Sequence, residues 1–380
     1  MKIVIAPDSY KESLSALEVA CCIEQGFYEI FPTAEYIKLP VADGGEGTVE
    51  AMITATRGRR LELEVTGPLG LPVPAFYGLS GDGRSAFIEM AAASGLELLA
   101  PAQRDPRITT SWGTGELICH ALDAGVEHII IGIGGSATND AGAGMLQALG
   151  IRLLDADGAC LPPGGAALAR LAKVDITGLD KRIERCRIDV ACDVTSPLTG
   201  ELGASAVFGP QKGATPEMVK ILDDALSHFA AIVARDLGKD VLTLPGGGAA
   251  GGMGAALYAF CGARLRPGIE IVTGALKLEA QIEDADLVIT GEGRLDSQSI
   301  HGKVPVGVAR IAKRYQKPTI AIAGSLTPDV GVVHEQGIDA VFSVIDSICT
   351  LEQALDNAAD NVRRTARNIA AALAMGRMLG

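Results

Sequence analysis

The chain has 380 residues, of which 48% are hydrophobic, 21% charged and 4% aromatic, and its formal net charge is −13. This length exceeds that of one ordinary core and predicts two domains. The acidic balance and scarce aromatics exclude a nucleic-acid-binding protein, which needs a basic stripe and usually stacking aromatic side chains. A small anionic ligand stays compatible with them, because a few local cations can outweigh a distant field.

Cysteine spacing and hydropathy predict a cytoplasmic protein that does not enter a membrane. The eight cysteines are irregularly spaced without a C-x-x-C motif, which indicates reduced thiols. The beginning, MKIVIAPDSY, has one lysine and a short apolar run broken by Pro7, unlike a signal peptide. The uncharged stretch 241–263 is long enough to span a membrane, but it is too rich in glycine to predict a span.

Strand and helix patterns alternate at both ends of the chain. The apolar runs KIVIA, EYIKLPVA, DADLVIT, KPTIAIA and AVFSVI predict five buried strands, each ending at a polar or glycine-rich loop. The first helix is predicted to begin with a capping box of Ser15 and Glu18. Its apolar stripe consists of Leu14, Leu17, Ala20, Ile23 and Phe27. Strands joined by helical crossovers predict one doubly wound parallel sheet.

The middle of the chain follows a different pattern. Residues from about 60 to 100 alternate as half-buried strands do, for example in RLELEVTG and SAFIEMA, and glycine-rich stretches follow. We therefore predict an α/β protein whose first domain is discontinuous. This domain comprises residues 1–62 plus 280–380, and a second α/β domain, residues 63–279, is inserted into it.

Polar residues gather where the strands of the first domain end. Parallel strands place these loops along one carboxyl edge, where ligands bind near the topological switch point. The loops contribute Asp8, Ser9, Lys11, Asp43, Gly44, Gly45, Glu46, Glu292, Arg294 and Asp296. Acids before helices are often only caps, but this many acids together with a hydroxyl and two cations indicates a ligand site.

Two glycine-rich turns stand out in the second domain. IGIGGSATNDAGAGM, residues 131–145, follows the apolar run HIII and leads into a helical pattern, and PGGGAAGGMGAAL precedes another helix. Free backbone N–H groups at the start of a helix suit a phosphate. Neither turn matches a P-loop, and the dinucleotide fingerprint lacks its acidic residue. Tight packing of backbone against backbone is the alternative for both turns.

Glycine loops, carboxylates and cations are the residue types that phosphoryl transfer needs, but they do not select one kinase. The motifs APDSYKESLSA, VADGGEGT, GIGGSATNDAGAGM, FGPQKGA, GGGAAGGMG and DLVITGEGRLDSQSIHGK do select a family. Together, and in this order, they resemble the bacterial glycerate kinases of the type-1 (glycerate 2-kinase) family over essentially the whole chain.

This resemblance implies the reaction of ATP with D-glycerate to give ADP and 2-phospho-D-glycerate, with Mg²⁺. It also implies a flavodoxin-like domain interrupted by a second α/β domain, which agrees with the predicted discontinuity. The chain departs from the family motif at Ala141, where the family usually has glycine. We expect a methyl group there to fit a helical position.

Candidate roles follow from side-chain chemistry. Arg294 suits the glycerate carboxylate because its planar fork can form two parallel hydrogen bonds. Ser9, Asp296 and Lys303 complete the predicted substrate-binding set. The predicted catalytic residues are Asp193, Lys11 and Asp8, and the predicted metal ligands are Asp43 and Glu292. The nucleotide-binding or phosphate-binding set is predicted as Gly134, Gly135, Ser136, Asn139, Lys212, Gly247, Gly248 and Gly251.

Several alternatives stay open at this point. Any of several acids, or His301 with lower priority, could be the general base, and Asp140 could simply cap a helix. A non-catalytic protein that senses a hydroxy acid or nucleotide is the alternative function, although the chain has no effector module. We expect the site in a cleft between the two domains. The sequence does not determine the residues that contact adenine, how strictly the substrate is selected, or whether the protein forms a homo-oligomer.

Overall fold

The computed structural model describes residues 1–45, 47–300 and 302–379. The strands are β1 (Lys2–Ile5), β2 (Glu35–Lys38), β3 (Arg59–Thr66), β4 (Pro72–Leu79), β5 (Ser85–Glu89), β6 (His128–Gly132), β7 (Arg152–Leu154), β8 (Lys173–Asp175), β9 (Arg187–Ala191), β10 (Arg264–Arg266), β11 (Leu287–Leu295), β12 (Thr319–Leu326) and β13 (Ala340–Ser343).

The α-helices lie between and after these strands along the chain. They are α1 (Ala16–Tyr28), α2 (Thr48–Thr56), α3 (Ala91–Ser94), α4 (Trp112–Asp123), α5 (Ala143–Ala148), α6 (Ala204–Phe208), α7 (Pro216–Leu237), α8 (Ala249–Cys261), α9 (Gly268–Ala275), α10 (Leu278–Glu283), α11 (Val304–Arg314), α12 (Leu351–Asp356) and α13 (Ala358–Leu379).

The chain divides into two compact units. The first unit consists of Met1–Asp43, Glu50–Thr56 and Ile269–Gly380, and the second of Gly44–Val49 and Arg57–Gly268. The boundary predicted after residue 62 falls inside β3, and the boundary predicted after residue 279 falls inside α10.

The sheet of the first unit has five parallel strands in the order β13-β12-β11-β1-β2. Counted along this unit alone, this is the order 2-1-3-4-5 of flavodoxin-like sheets, whose switch point lies between the first and third strands. Here those strands are β1 and β11. The predicted α/β fold class is confirmed.

Local sequence signals explain the first βα unit. The Ser15 side chain accepts a hydrogen bond from the Glu18 backbone N–H at 3.3 Å, and the Glu18 carboxylate accepts one from the Ser15 N–H at 2.8 Å. The predicted capping box is therefore confirmed. The predicted apolar stripe is wrong at Leu17, which is 37% exposed. The buried face is formed by Ala16, Val19, Ala20, Ile23, Gly26 and Phe27.

Strand β11 is longer than its apolar run. The sequence predicts that the strand ends at Thr290, but pairing with β12 continues through Arg294 and Leu295. Glu292 and Arg294 are therefore strand residues rather than loop residues. A strand at the centre of a sheet can continue past its apolar run as long as its neighbour still pairs with it.

The sheet of the second unit is mixed, with the order β10-β9-β6-β5-β4-β3. The strands β5, β6, β9 and β10 are parallel, whereas β3 and β4 are antiparallel neighbours at one side. Ile129 and Ile131 of β6 are fully buried in the core of this unit. The parallel part brings the carboxyl ends of β5, β6 and β9 to one edge.

Two predictions about hydropathy and cysteines can be compared with the structure. Within the described part of the chain, no helix has the length and apolar character needed to cross a membrane. The uncharged stretch 241–263 instead forms a loop and α8, which is interrupted by a kink at residues 250–252, where φ is positive. All eight cysteines are free thiols.

Candidate active site

Asp8 and Glu292 lie at the switch point of the first unit. The Asp8 backbone N–H donates to the carbonyl of Gly291 at 2.8 Å, which ties the end of β1 to β11 directly before Glu292. The Asp8 carboxylate accepts hydrogen bonds from the Ser9 N–H at 2.7 Å and from the Ser9 hydroxyl at 3.3 Å. Two predicted carboxylates and a predicted hydroxyl therefore meet where an open α/β sheet binds its ligands.

Asp8 has an unusual protonation equilibrium. Burial and the negative charges of Asp43 and Glu292 raise the pKa of Asp8 to about 7, against the smaller opposite effect of the hydrogen bonds from Ser9. A carboxyl group with a pKa near the working pH is suited to accept and release a proton. Asp8 is therefore a candidate for this role.

Glu292 is only 7% exposed, and its contacts fix it in place. Burial raises the pKa of Glu292, and the Ser299 hydroxyl, which donates to its Oε1 at 2.6 Å, opposes this effect together with Lys303. The Nζ of Lys303 is 3.3 Å from Glu292 Oε2 and 3.8 Å from Asp296 Oδ1. Lys303 therefore neutralises acids of the protein itself.

Arg294 is more available to a ligand than Lys303. Its side chain is 68% exposed, and its Nε lies 3.8 Å from Asp296 Oδ2, which is a long contact for an ion pair. The guanidinium can therefore turn toward a small carboxylate at little cost.

Lys11 extends from the first loop of this unit. Its side chain is exposed, and among the described residues it has neither a hydrogen bond nor an ion pair. The preceding Tyr10 anchors the loop, because its buried hydroxyl donates to the carbonyl of Ile322 at 2.7 Å. This fixed loop with an exposed cation at its surface suits the neutralisation of an anionic ligand.

The predicted metal ligands are Asp43 and Glu292. Among the described residues, no group of three or more His, Cys, Asp or Glu side chains could hold a metal ion. Mg²⁺ does not need such a group, since it is usually bound by one or two carboxylates together with phosphate oxygens and waters. Asp43 and Glu292 carry the hard carboxylate oxygens that Mg²⁺ prefers, and the charges of both act on Asp8. Their chemistry fits Mg²⁺. Glu46 and His301 lie outside the described residues.

The second unit presents a glycine loop after β6. Gly134 and Gly135 are exposed, and Gly135 has a φ of +70°. The Leu96 N–H donates to the Gly135 carbonyl at 2.8 Å, and the Ala137 N–H donates to the Ser94 carbonyl at 2.9 Å, so the loop is held on one side. The N–H groups of Gly134, Gly135 and Ser136 donate to no group within the described residues. Successive free N–H groups around a left-handed residue suit an anion.

The expectation of free N–H groups at the start of the following helix is wrong. The fully buried Asp140 carboxylate accepts hydrogen bonds from the N–H groups of Gly142 at 3.1 Å and Gly144 at 3.2 Å. It also accepts from the N–H and hydroxyl of Ser111 at 3.0 and 2.8 Å. Asp140 therefore caps α5 from inside the protein, and the anion at this helix end is the protein's own.

The expectation for Ala141 is also wrong. Ala141 precedes α5, and its φ is +50°, a left-handed conformation in which glycine has no steric cost. Its N–H donates to the carbonyl of Gly251 at 2.9 Å. The backbone at this position explains why glycine would be favoured there.

The second glycine turn is buried against other backbone. A Cβ atom added at Gly251 would lie 2.1 Å from the Thr138 carbonyl oxygen, and one added at Gly248 would lie 2.2 Å from the Pro197 carbonyl oxygen. At Gly247 it would lie 2.9 Å from the carbonyl oxygen of Leu244. This geometry favours the packing alternative for these three glycines.

Three further predicted residues lie around the first glycine loop. Asp193 is exposed after β9, and its Oδ1 accepts from the Gly268 N–H at 3.0 Å. Lys212 is only 1% exposed, with its Nζ donating to Ser136 Oγ at 2.8 Å and to the Thr138 carbonyl at 2.6 Å. The Asn139 side chain is also buried and donates to Ser205 Oγ at 2.9 Å. Lys212 and Asn139 therefore support the loop from beneath it.

Two polar residues at these edges were not predicted from the sequence. Ser299 orients Glu292, and nothing in the sequence besides its position within a recognised motif indicates this contact. Glu89 ends β5 next to Gly132 of β6 and accepts a hydrogen bond from the Val49 N–H at 3.0 Å. An acid at the end of an apolar run was the available signal for Glu89.

Known proteins match the chain over nearly its whole length. The model of the glycerate kinase family matches residues 3–374. A glycerate 2-kinase from Escherichia coli is 65% identical over 376 residues, with 99% of each chain covered. A glycerate kinase from Bacillus subtilis is 57% identical over 379 residues, with 100% of this chain and 99% of that protein covered. A crystal structure from Salmonella typhimurium LT2, whose description proposes a glycerate kinase 2, has 73% identity and a TM-score of 0.93, and the match covers 100% of this chain and 99% of that one.

Proposed function

The chain belongs to the glycerate kinase family, and on this premise we propose that it transfers the terminal phosphoryl group of ATP to the 2-hydroxyl of D-glycerate. The products are ADP and 2-phospho-D-glycerate, and Mg²⁺ is the metal. One observation carries the proposal for the site: Asp8 lies at the switch point of a flavodoxin-like sheet, with a pKa of about 7 and two further carboxylates acting on it.

Asp8 is the general base of this proposal. In its ionised form it accepts the proton of the glycerate hydroxyl as that oxygen bonds to phosphorus and the bond from phosphorus to the leaving oxygen of ADP breaks. The hydrogen bonds from Ser9 hold one carboxylate oxygen, Oδ1, and so orient the group. Asp193, the other predicted base, stays an alternative.

Asp43 and Glu292 would hold Mg²⁺. The bound ion supplies positive charge that offsets the charge of the nucleotide phosphates. The Ser299 hydroxyl fixes Glu292 Oε1, and Lys303 balances the charge of Glu292 and Asp296. These contacts keep the predicted ligand in a single orientation, as a metal site requires.

Cations that are accessible to solvent recognise the anionic parts of the substrates. Arg294 binds the glycerate carboxylate through its exposed guanidinium, and Lys11 offsets charge on the transferred phosphoryl group. The N–H groups of Gly134, Gly135 and Ser136 donate hydrogen bonds to the oxygens of a nucleotide phosphate. The cleft between domains and the cytoplasmic location stay predictions.

The experiment is an incubation of the purified protein with D-glycerate, ATP and Mg²⁺, followed by phosphorus NMR of the product. The expected product carries phosphate on the 2-hydroxyl, which is distinguished from the 3-phosphate by its coupling to a single proton. Formation of the 3-phosphate would contradict the proposed position. Binding of glycerate or ATP without turnover would support the metabolite-sensing alternative instead.

A further inference from the structure

The motif FGPQKGA has no explained role in the proposed reaction. It belongs to residues 204–214, here called the clamp segment, which include α6 and a short 3₁₀ turn at Pro210–Lys212. This segment reaches the glycine loop at two points, through Lys212 and through Ser205, which accepts the hydrogen bond from Asn139. The clamp segment therefore fixes the loop through contacts other than those of Ser94 and Leu96.

Lys212 is the unusual member of the clamp segment. Its side chain is 1% exposed, and burial lowers the pKa of Lys212 to about 7, while the negative charge of Asp140 acts in the opposite direction. Burying an ammonium group is costly unless acceptors replace its water. Both of its acceptors, Ser136 Oγ and the Thr138 carbonyl, belong to the glycine loop. An apolar side chain of similar size would fill this space without the cost of burying an ammonium group, so filling space does not explain a lysine here.

The contact with Lys212 determines what Ser136 can do. In its protonated form the Nζ of Lys212 has only hydrogens to offer, so the Ser136 oxygen is the acceptor of this bond, and its own O–H hydrogen points elsewhere. Within the described residues this O–H has no acceptor, and neither do the N–H groups of Gly134, Gly135 and Ser136. Three consecutive residues thus present four donors with no acceptor.

We propose that Lys212 is a positioning residue that acts through Ser136: its ammonium holds the Ser136 hydroxyl so that the O–H, with the neighbouring backbone N–H groups, donates to a phosphate oxygen of bound ATP. Lys212 itself is covered and does not contact the nucleotide. The inference rests on the proposed function in that it takes ATP as the ligand of this loop. It differs from the prediction of Lys212 as a phosphate-binding residue, which requires an accessible ammonium.

A double-mutant cycle separates this role from a structural one. Ser136→Ala removes one hydrogen bond to a charged group and should lower kcat/KM for ATP by roughly 10- to 100-fold. Lys212→Met should lower it by a similar factor, because the hydroxyl is no longer oriented. If Lys212 acts through Ser136, the double variant loses no more than about threefold beyond the worse single variant. KM for D-glycerate should stay within about twofold in all three proteins.

Lys220→Met is the matched control, since Lys220 is an exposed lysine of α7 in the same unit, and it should keep wild-type kinetics. Circular dichroism establishes that each variant is folded. Losses that multiply in the double variant, or a Ser136→Ala protein with unchanged kcat/KM for ATP, would overturn the proposal.

Two further measurements keep the test decisive. If Lys212→Met does not fold, Ser136→Thr replaces it: this variant retains a hydroxyl and should bind ATP more tightly than Ser136→Ala, and equal affinities would overturn the proposal.

Calorimetry with ATP and Mg²⁺ separates the inference from the proposed function. If the wild-type protein binds ATP but does not phosphorylate glycerate, only the proposed function is refuted. The variants are then compared by their dissociation constants for ATP. A wild-type protein that does not bind ATP refutes both.

Discussion

The two units end their parallel strands in different ways. At the switch point of the first unit, the groups that face a ligand are charged side chains: Asp8, Glu292 and Lys303 lie within a few ångströms of fixed partners. At the equivalent edge of the second unit, the groups are the backbone N–H donors of Gly134 to Ser136. The cation there, Lys212, is buried beneath them. Both sheets place their loops at a carboxyl edge, but the residues of the loop decide which chemistry that edge provides.

Asp8 in the first unit and Asp140 in the second show the same contrast at the level of one residue each. Asp8 and Asp140 both follow a strand in a polar loop, and burial raises the pKa of each. Asp140 accepts four hydrogen bonds from groups of its own loop and from Ser111, whereas Asp8 accepts two, both from Ser9, and is repelled by two acids. Asp140 is therefore a structural cap, and Asp8 remains able to exchange a proton.

The largest expected effect is that of Asp8→Asn on catalysis. The amide keeps the shape and an acceptor oxygen for Ser9 but cannot take the proton, so kcat should fall by roughly 10²- to 10⁴-fold. Steady-state kinetics with D-glycerate and ATP measure this loss. Asp284→Asn, at an exposed acid of the same unit, is the control and should be neutral. A loss in Asp193→Asn that exceeds the loss in Asp8→Asn would transfer the role of base to the second unit.

The next effect is that of replacing Lys11, the exposed lysine of the first loop in the first unit. Lys11→Met should lower kcat by roughly 10³-fold if Lys11 offsets charge on the transferred phosphoryl group. The exposed position of Lys11 predicts an unchanged melting temperature. Lys277→Met serves as the control at another exposed lysine of this unit. A loss below about threefold in folded Lys11→Met protein would show that the side chain only contacts solvent.

The third prediction compares the two glycine turns of the second unit. Gly251→Ala combines a left-handed φ of +65° with a Cβ 2.1 Å from a carbonyl oxygen, so it should destabilise the fold by at least about 1–2 kcal/mol. Gly134→Ala meets no atom within 4 Å and should leave the free energy of unfolding nearly unchanged. Urea denaturation measures both. Equal stabilities would contradict the packing role assigned to the second turn.

The smallest effect is a pH-dependent gain in stability. Because the pKa of Asp8 is raised from an ordinary value of 3.8 to about 7, the folded state binds an extra proton between these values, and the ionised group is unfavourable above pH 7. Asp8→Asn should therefore melt on the order of 2–4 °C higher than wild type at pH 8. This difference should shrink as pH falls from 7 toward 4. Thermal melts across this range would contradict the account if the gain grew with acidity.

The alternation of apolar runs and loops was enough to predict the five parallel strands and the switch-point acids Asp8 and Glu292. It could not predict that β11 continues to Leu295, because this depends on pairing with β12. Nor could it show that Asp140 occupies the helix end, since Ser111 is 29 residues away in sequence. Spacing also treats the two glycine turns alike, although packing against Thr138 buries Gly251 and leaves Gly134 exposed.

The central claim is that Asp8 is a carboxyl group poised to take a proton near neutral pH. A direct test is to follow the carboxyl carbon resonance of Asp8 in ¹³C-labelled protein from pH 4 to pH 9, assigned by its loss in Asp8→Asn. We expect a midpoint at about pH 7, set by burial and by the charges of Asp43 and Glu292. A midpoint near the ordinary aspartate value of about 4 would contradict it.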